Sequence, residues 1–331
     1  MLTVAIPTCN GTRHLAETLR SILNQESPSF DLLVCDDCSD DGTVHLVREL
    51  AGNRARIVVN EQRLGLAGNW NRCMTESQSP WVSIFHQDDV MRPGHLAAVI
   101  QAIERHQPSP EPIGLVAGPA GVIDEDSRPI PPSIVAPGPL DHAFRDEMLF
   151  PPRRLLPYLS VENPLRCSAV ITSKAAHADV GGFDPSYRYV VDWDFWYRVA
   201  RAWGVLWRPS ATVAFRWHSA SETHRLKPDA TDLEETERLQ VRILDLDPPE
   251  EAQSRVLCRL GQRKLARAYL SRAHEALKSG NTEFARHCLH RAWSLSPSVV
   301  ARTCGGDVRL MVQMTTLAGA PETASRWFGR R

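Results

Sequence analysis

The first hundred or so residues alternate between short β-branched or apolar runs and stretches of helical spacing, and few architectures accept that order. The runs are Thr3 to Pro7, Leu32 to Cys35, Arg56 to Val59 and Trp81 to Phe85. Between them Leu15, Leu19, Ile22 and Leu23 recur at helix spacing, as do Val44, Val47 and Leu50, and later Leu96, Val99, Ile100 and Ile103. Strands separated by helices pair in parallel through crossovers rather than as hairpins, so an α/β fold with a doubly wound sheet is expected. Pro93 stands at the first turn of the last helix, where its missing N–H costs nothing. Ligands of such sheets bind beyond the carboxyl ends of the strands, and the residues directly after each run are where chemistry is expected.

From about residue 107 to 165 the texture becomes irregular, with Pro108, Pro110, Pro112, Pro129, Pro131, Pro132, Pro137, Pro139, Pro151 and Pro152. One strand is expected at Gly114 to Ala117, and long loops over the rest. Apolar runs resume at Ser168 to Thr172 and Thr212 to Trp217, around a Gly181-Gly182-Phe183 turn and a helix starting near Asp192 with Trp193, Trp196, Val199 and Ala200 inward. After about residue 228 the chain reads as helical to its end. There Gly280, Ala285, Leu289, Ala292 and Pro297 are spaced as in the second half of a tetratricopeptide-like helix pair, after an apolar helix around Ala266, Tyr269, Leu270, Ala273 and Leu277. One such unit builds no solenoid; a small helical cap packed on the main domain is expected, with a partner-docking module as the alternative. The expected domains are thus 1–228, with a nucleotide-binding half at 1–106 and an acceptor half at 107–228, and a helical region at 229–331.

The formal charge of -1 conceals a division. Residues 251–331 carry 14 basic and 5 acidic side chains, against 24 and 34 in residues 1–250. The sum gives no sign of a nucleic-acid binder, whereas the basic tail could face anionic headgroups or a polyanionic acceptor, or be solvated helix surface. No stretch approaches the roughly 18 consecutive apolar residues of a spanning helix. Leu2 to Ile6 opens directly on a strand pattern without a charged leader, so a cytoplasmic protein is expected, with peripheral contact at the inner face of the cell membrane through the tail. The eight cysteines are scattered; Cys35 and Cys38 have the spacing of a zinc half-site without a second pair, and reduced thiols are expected.

Four polar clusters fall where the strand-end rule directs attention. They are Pro7-Thr8-Cys9-Asn10-Gly11; Asp36-Asp37-Cys38-Ser39-Asp40-Asp41-Gly42; His86-Gln87-Asp88-Asp89; and Asp192-Trp193-Asp194, with His218 after the later strand. Taken singly, Thr8 and Asn10 could be caps, Asp40-Asp41-Gly42 a turn and Asp192 an N-cap. In this order, with Arg63-Leu64-Gly65-Leu66-Ala67-Gly68-Asn69-Trp70-Asn71 between the second and third, and Gly181-Gly182-Phe183-Asp184 before the last, they resemble the family 2 glycosyltransferases of the GT-A fold. The resemblance covers roughly residues 2 to 220.

It implies a GT-A mixed sheet with a Rossmann-like nucleotide-binding half, a helical extension, and inverting, non-processive transfer of a sugar from a nucleotide-diphosphate sugar. Thr8 and Asn10 would line the base and ribose, and Asp36 would accept from a pyrimidine ring N–H, favouring a UDP- or dTDP-linked donor. Arg63 and Asn69 would contact ribose or phosphate. Asp88, with Asp89, would hold Mn2+ or Mg2+ through hard carboxylate oxygens beside the diphosphate. His86 stands where relatives carry the first Asp of Asp-x-Asp, and His218 would complete the metal site. Asp192 would be the base on the acceptor side, its carboxylate pKa raised by burial beside Trp193 and Trp196. Trp193 and Asp194 would meet the acceptor, with Asp194 also able to brace the site.

The acceptor classes left open are a cell-surface glycan, a lipopolysaccharide and a lipid-linked glycan. The Gln-x-x-Arg-Trp motif of processive members is missing: Thr323 stands where its Gln would precede Arg326-Trp327. No G-x-G-x-x-G or Walker loop follows the first strand, which argues against dinucleotide enzymes and NTPases. A sugar nucleotidyltransferase would want a Gly-rich basic loop there. A non-catalytic scaffold on the same fold is the remaining alternative, and Asp36, Asp88 and Asp192 together argue against it.

Overall fold

The computed structural model describes residues 1–26, 29–107, 109–135, 144–218, 226 and 229–306. The chain divides into two compact units, Met1–Arg225 and Leu226–Arg331. Pro108, Pro137 and Pro139 of the expected loops, the boundary at 228 and the tail beyond 306 lie outside the described residues.

In the first unit the early runs form β1 (Leu2–Thr8), β2 (Asp31–Asp36), β3 (Ala55–Val59) and β4 (Trp81–Ile84), with α1 (Thr12–Leu23), α2 (Thr43–Ala51) and α3 (Gly65–Glu76) between them. β5 (Val90–Met91), α4 (His95–His106), β6 (Ile113–Ala117), β7 (Ala120–Ile123), β8 (Pro129–Val135), β9 (Met148–Phe150) and α5 (Leu156–Leu159) follow. The unit continues through β10 (Val170–Ser173), α6 (Lys174–Val180), α7 (Val191–Ala202), β11 (Gly204–Trp207) and β12 (Val213–Arg216).

An eight-stranded sheet has the order β3-β2-β1-β4-β10-β6-β11-β9, and a second sheet has the order β5-β12-β7-β8. β1 is parallel to β2 and β4, and β2 to β3, whereas β10 is antiparallel to β4 and β6. The sheet is therefore mixed. The register sets Thr8 beside Asp36 and Ala5 beside Ile84, so the carboxyl ends of β1, β2 and β4 lie side by side. Leu15, Leu19 and Ile22 of α1, Val47 of α2 and Leu96, Val99 and Ile103 of α4 share one core with Val4, Ile6, Leu32 and Val34. Burying such a side chain contributes about 1.5–3 kcal/mol, and that common core fixes which strand ends converge.

The middle of this unit departs from the expected loops. β7, β8 and β9 lie within the Pro-rich stretch, and β11 follows α7 almost without a break. Among the described residues β8 pairs only with β7, and an edge strand is where a sheet tolerates prolines such as Pro129, Pro131 and Pro132. Ser168 belongs to a 3-10 turn over Cys167–Ala169, so the strand starts later than its apolar pattern suggests.

The second unit is helical in its described residues: α8 (Thr231–Leu246), α9 (Ala252–Lys278), α10 (Thr282–Leu295) and α11 (Pro297–Gly306). Leu265, Ala266, Tyr269, Leu270 and Ala273 of α9 pack with Cys288, Leu289 and Ala292 of α10. Gly280, at φ 78°, reverses the chain in the left-handed region that glycine enters without penalty, and the Asn281 side chain caps α10 by accepting the Phe284 N–H at 3.2 Å. Arg272 pairs with Asp232 at 2.9 Å, and Glu237 takes both Arg291 and the Tyr269 hydroxyl. Among the described residues no helix is long and apolar enough to cross a membrane.

Candidate active site

The first two strand ends form a hydrogen-bonded frame. Asp36 is fully buried; its Oδ1 accepts the hydroxyls of Thr8 at 2.8 Å and Ser39 at 2.6 Å, and its Oδ2 accepts the Ser39 N–H at 2.9 Å. Thr8 is buried with it. Both side chains are thus hydrogen-bonded to one another and to the loop. Asn69 is buried as well: its Nδ2 donates to the Cys35 carbonyl at 2.9 Å, and its Oδ1 accepts from Asn60 at 3.1 Å. Asp37 accepts the N–H groups of Leu64 at 2.7 Å and Gly65 at 2.9 Å and so fixes the start of α3. Asn10 and Arg63 are exposed at the rim of this frame. Asn10 holds φ 49° while its side-chain oxygen accepts the Asp40 N–H at 3.0 Å.

The residues after β4 are pinned from three directions. Gln87 brackets Cys9, accepting its N–H at 3.0 Å and donating to its carbonyl at 3.2 Å. A Cβ on Gly11 would lie 2.3 Å from Gln87 Oε1, so the close approach of these loops requires glycine. The Ser168 hydroxyl accepts the His86 N–H at 2.9 Å and donates to Asp89 Oδ2 at 2.5 Å. Arg216, whose side chain is fully buried, gives its backbone N–H to Asp89 Oδ1 at 2.8 Å and its Nε–H to the Asp88 carbonyl at 2.8 Å. Its other guanidinium nitrogens reach the Asp124 carbonyl at 2.9 Å, Ser127 Oγ at 2.9 Å and Glu17 Oε2 at 2.7 Å.

His86, Asp88 and Asp89 each offer one ligand atom, all within 4.8 Å of one another. Burial pushes Asp89 up to about 8, with the neighbouring Asp88 charge adding to the shift. Burial also pushes Asp88 upward, but the His218 hydrogen bond and the His86 and His218 rings outweigh it and hold this carboxyl below its usual range. His218 lies outside that group, and its Nε2 pairs with Asp88 Oδ2 at 2.8 Å. Two carboxylates and an imidazole at this separation suit a divalent cation, and His86 Nε2 is buried without a hydrogen-bond partner, as an uncommitted ligand atom would be.

Asp192 lies in the first turn of α7, which begins one residue earlier, so it is not the N-cap. Burial raises its carboxyl pKa, opposed first by the Arg166 charge and by the Trp193 N–H, which Oδ1 accepts at 2.7 Å. Burial lowers the His86 pKa, opposed by the charges of Asp88 and Asp192, both of which are therefore near its ring. Trp193 and Asp194, the residues expected to meet the acceptor, both make internal contacts. Trp193 is buried and donates its indole N–H to the Leu159 carbonyl at 2.9 Å; Asp194 is fully buried and pairs with Arg198 at 2.8 Å. Arg198 in turn donates to the carbonyls of Val180 and Gly182, tying α7 to the glycine turn.

Sequence reasoning missed Gln87, Ser168, Arg166 and Arg216 as parts of the site. Gln87 stood inside a motif, but no local pattern marks the other three. The Arg166 guanidinium lies 5.5 Å from the Phe215 ring centroid, and its Nε is buried without a hydrogen-bond partner.

Residues 3–113 match the model of glycosyl transferase family 2. The putative glycosyltransferase EpsE of Bacillus subtilis is 30% identical over 101 residues, which are 30% of this chain and 36% of that protein. The chain thus spans about a third of such relatives. The N-acetylglucosaminyl-diphospho-decaprenol L-rhamnosyltransferase of Mycobacterium tuberculosis is 27% identical over 251 residues, 68% of this chain and 78% of the relative. Among solved structures, S. aureus TarS 1-349 in complex with UDP superposes with a TM-score of 0.60 at 18% identity, covering 91% of this chain and 82% of that one. The mannosyltransferase PcManGT from Pyrobaculum calidifontis, in complex with GDP-Man and Mn2+, gives 0.57 at 14% identity over 98% and 82%. On the motifs, the mixed sheet and these matches, residues 3–113 form a glycosyl transferase family 2 domain, and the mixed sheet is that of the GT-A fold.

Proposed function

We propose that the protein is a metal-dependent, inverting, non-processive glycosyltransferase, moving a sugar from a UDP- or dTDP-linked donor to a hydroxyl of a cell-surface glycan, lipopolysaccharide or lipid-linked acceptor. The observation that carries this reading is the gathering of His86, Asp88 and Asp89 at the end of β4, with Asp192 near enough for its charge to act on His86. A cation bound by Asp88 and Asp89 would supply charge stabilisation for the departing nucleoside diphosphate. Arg216 and Ser168 hold those carboxylates in place. Asp192, with its raised pKa, takes the proton of the attacking acceptor hydroxyl as that oxygen bonds to the anomeric carbon. Asn10 and Arg63, exposed at the rim of the β1–β2 frame, are the groups we assign to the donor's nucleotide.

With Asp36 committed to the loop, the choice of base rests on relatives. TarS was solved with UDP, and an Escherichia coli relative is named for UDP-Glc. A thermal-shift panel of nucleotide sugars with and without Mn2+ tests donor and metal together; a shift with no nucleotide sugar would refute the reading. Asp192→Asn should abolish transfer and keep donor binding, and near-normal turnover would remove Asp192 from its role.

We assign the protein to the inner face of the cell membrane, held peripherally by the helical unit. Arg263, Arg267 and Arg302 there line one cleft with Val299 and Thr303, and no described carboxylate pairs with these three. Anionic headgroups suit such a surface, each basic residue contributing about 1 kcal/mol.

A further inference from the structure

We propose that His86 is itself a metal ligand, and that its imidazole makes this site select Mn2+ and the later first-row divalent ions over Mg2+. The inference rests on the metal-dependent reading above and sharpens which cation it takes.

Three observations support it. The imidazole offers a ligand atom within 4.8 Å of those of Asp88 and Asp89, so one ion can touch all three residues. His86 Nε2 is buried with no partner, and Nδ1 lies 4.0 Å from Asp89 Oδ2, beyond a hydrogen bond. A neutral ring in this position leaves polar capacity unused, which typically costs about 1–3 kcal/mol unless a ligand takes it. The residue is also positioned before any ligand arrives: the Ser168 hydroxyl accepts its backbone N–H, and the Trp70 ring packs 5.2 Å from the imidazole. Neither contact occupies a ring nitrogen.

The consequence follows from ligand chemistry. Mg2+ favours oxygen donors and gives up its waters reluctantly, so an imidazole among the donors gains it little. Mn2+, Co2+ and Zn2+ accept mixed nitrogen and oxygen sets, with affinity rising from Mn2+ toward the later ions. His218 has a different part in this reading, because its Nε2 is hydrogen-bonded to Asp88 Oδ2 and orients that carboxylate.

The test uses the full chain with UDP and Mn2+. Free Mn2+ is followed by its electron paramagnetic resonance signal, and the bound ion by electron spin-echo envelope modulation, which detects a directly bonded 14N. Nitrogen modulation should be present in the wild type, lost in His86→Asp and retained in His218→Asn. The preference for Mn2+ over Mg2+ should fall by about tenfold or more in His86→Asp, since even outer-shell changes typically cost 10–100-fold. Bound Mn2+ without nitrogen modulation in the wild type, or modulation that survives His86→Asp, overturns the assignment and leaves the proposed function intact. Failure to bind Mn2+ at all in the presence of nucleotides overturns both.

Discussion

Replacing Arg216 with Met removes a charged hub while keeping most of its volume. The guanidinium is fully buried and donates to the Asp88 and Asp124 carbonyls, Ser127 Oγ and Glu17 Oε2, at 2.7–2.9 Å. Hydrogen bonds to charged groups are worth about 1.5–3 kcal/mol each, but they are not additive, and Glu17 is 43% exposed and regains water. What remains is chiefly the Asp88 carbonyl left without this donor, since the Asp124 carbonyl keeps the Ser127 N–H and the Ser127 hydroxyl keeps Glu17, and removing one side of a buried charged network costs about 3–5 kcal/mol. For a unit of this size, 1 kcal/mol moves the melting temperature by about 2–4 °C, so a fall of roughly 6–20 °C is expected. Seven of the nine tryptophans lie within residues 1–225, and thermal unfolding followed by tryptophan fluorescence reads that unit. The backbone N–H to Asp89 survives the substitution, so part of the carboxylate geometry should persist below the new transition. A loss under about 1 kcal/mol would refute the view that Arg216 holds the second sheet's β12 to the Asp88–Asp89 segment.

Other expectations follow from the same geometry. Because burial raises the Asp192 pKa and the base must be ionised, transfer should fall as pH drops through a value above the ordinary carboxylate range; a kcat profile flat down to pH 4 would contradict this. Arg166→Ala removes the charge opposing that shift and should move the limb to higher pH. A carboxyl whose pKa rises on folding holds its proton more tightly in the folded state, so its contribution to stability falls as pH rises from the unfolded to the folded value; Asp192→Asn should flatten this dependence in urea titrations. Gly11→Ala sets a Cβ 2.3 Å from Gln87 Oε1 and should destabilise by about 1–3 kcal/mol, with Gln87→Ala recovering part of the loss in a double-mutant cycle. Substituting Ala for Arg263, Arg267 and Arg302 together should weaken co-sedimentation with anionic vesicles about a hundredfold, and unchanged binding would dispose of the membrane assignment.

The sequence by itself determined the strand and helix alternation from Leu2 to His106, because an apolar residue repeated at a fixed period declares which face is buried without reference to any partner. It also located the clusters that matter, since loops at the ends of parallel strands carry function and these four stand there. His86 was legible as an oddity in a motif, and Asp192 as a carboxylate beside aromatic residues. The tertiary structure decided what each polar side chain is used for. Thr8, Asp36, Asn69 and Asp194 have the right residue types and positions for ligand contact, yet all four are buried with their hydrogen bonds given to the protein, because a buried polar atom must find a partner and the nearest available one was internal. Arg216 and Ser168 carry the converse lesson. They lie 127 and 79 residues from Asp89, and no local pattern can announce a contact that exists only after two sheets have been assembled.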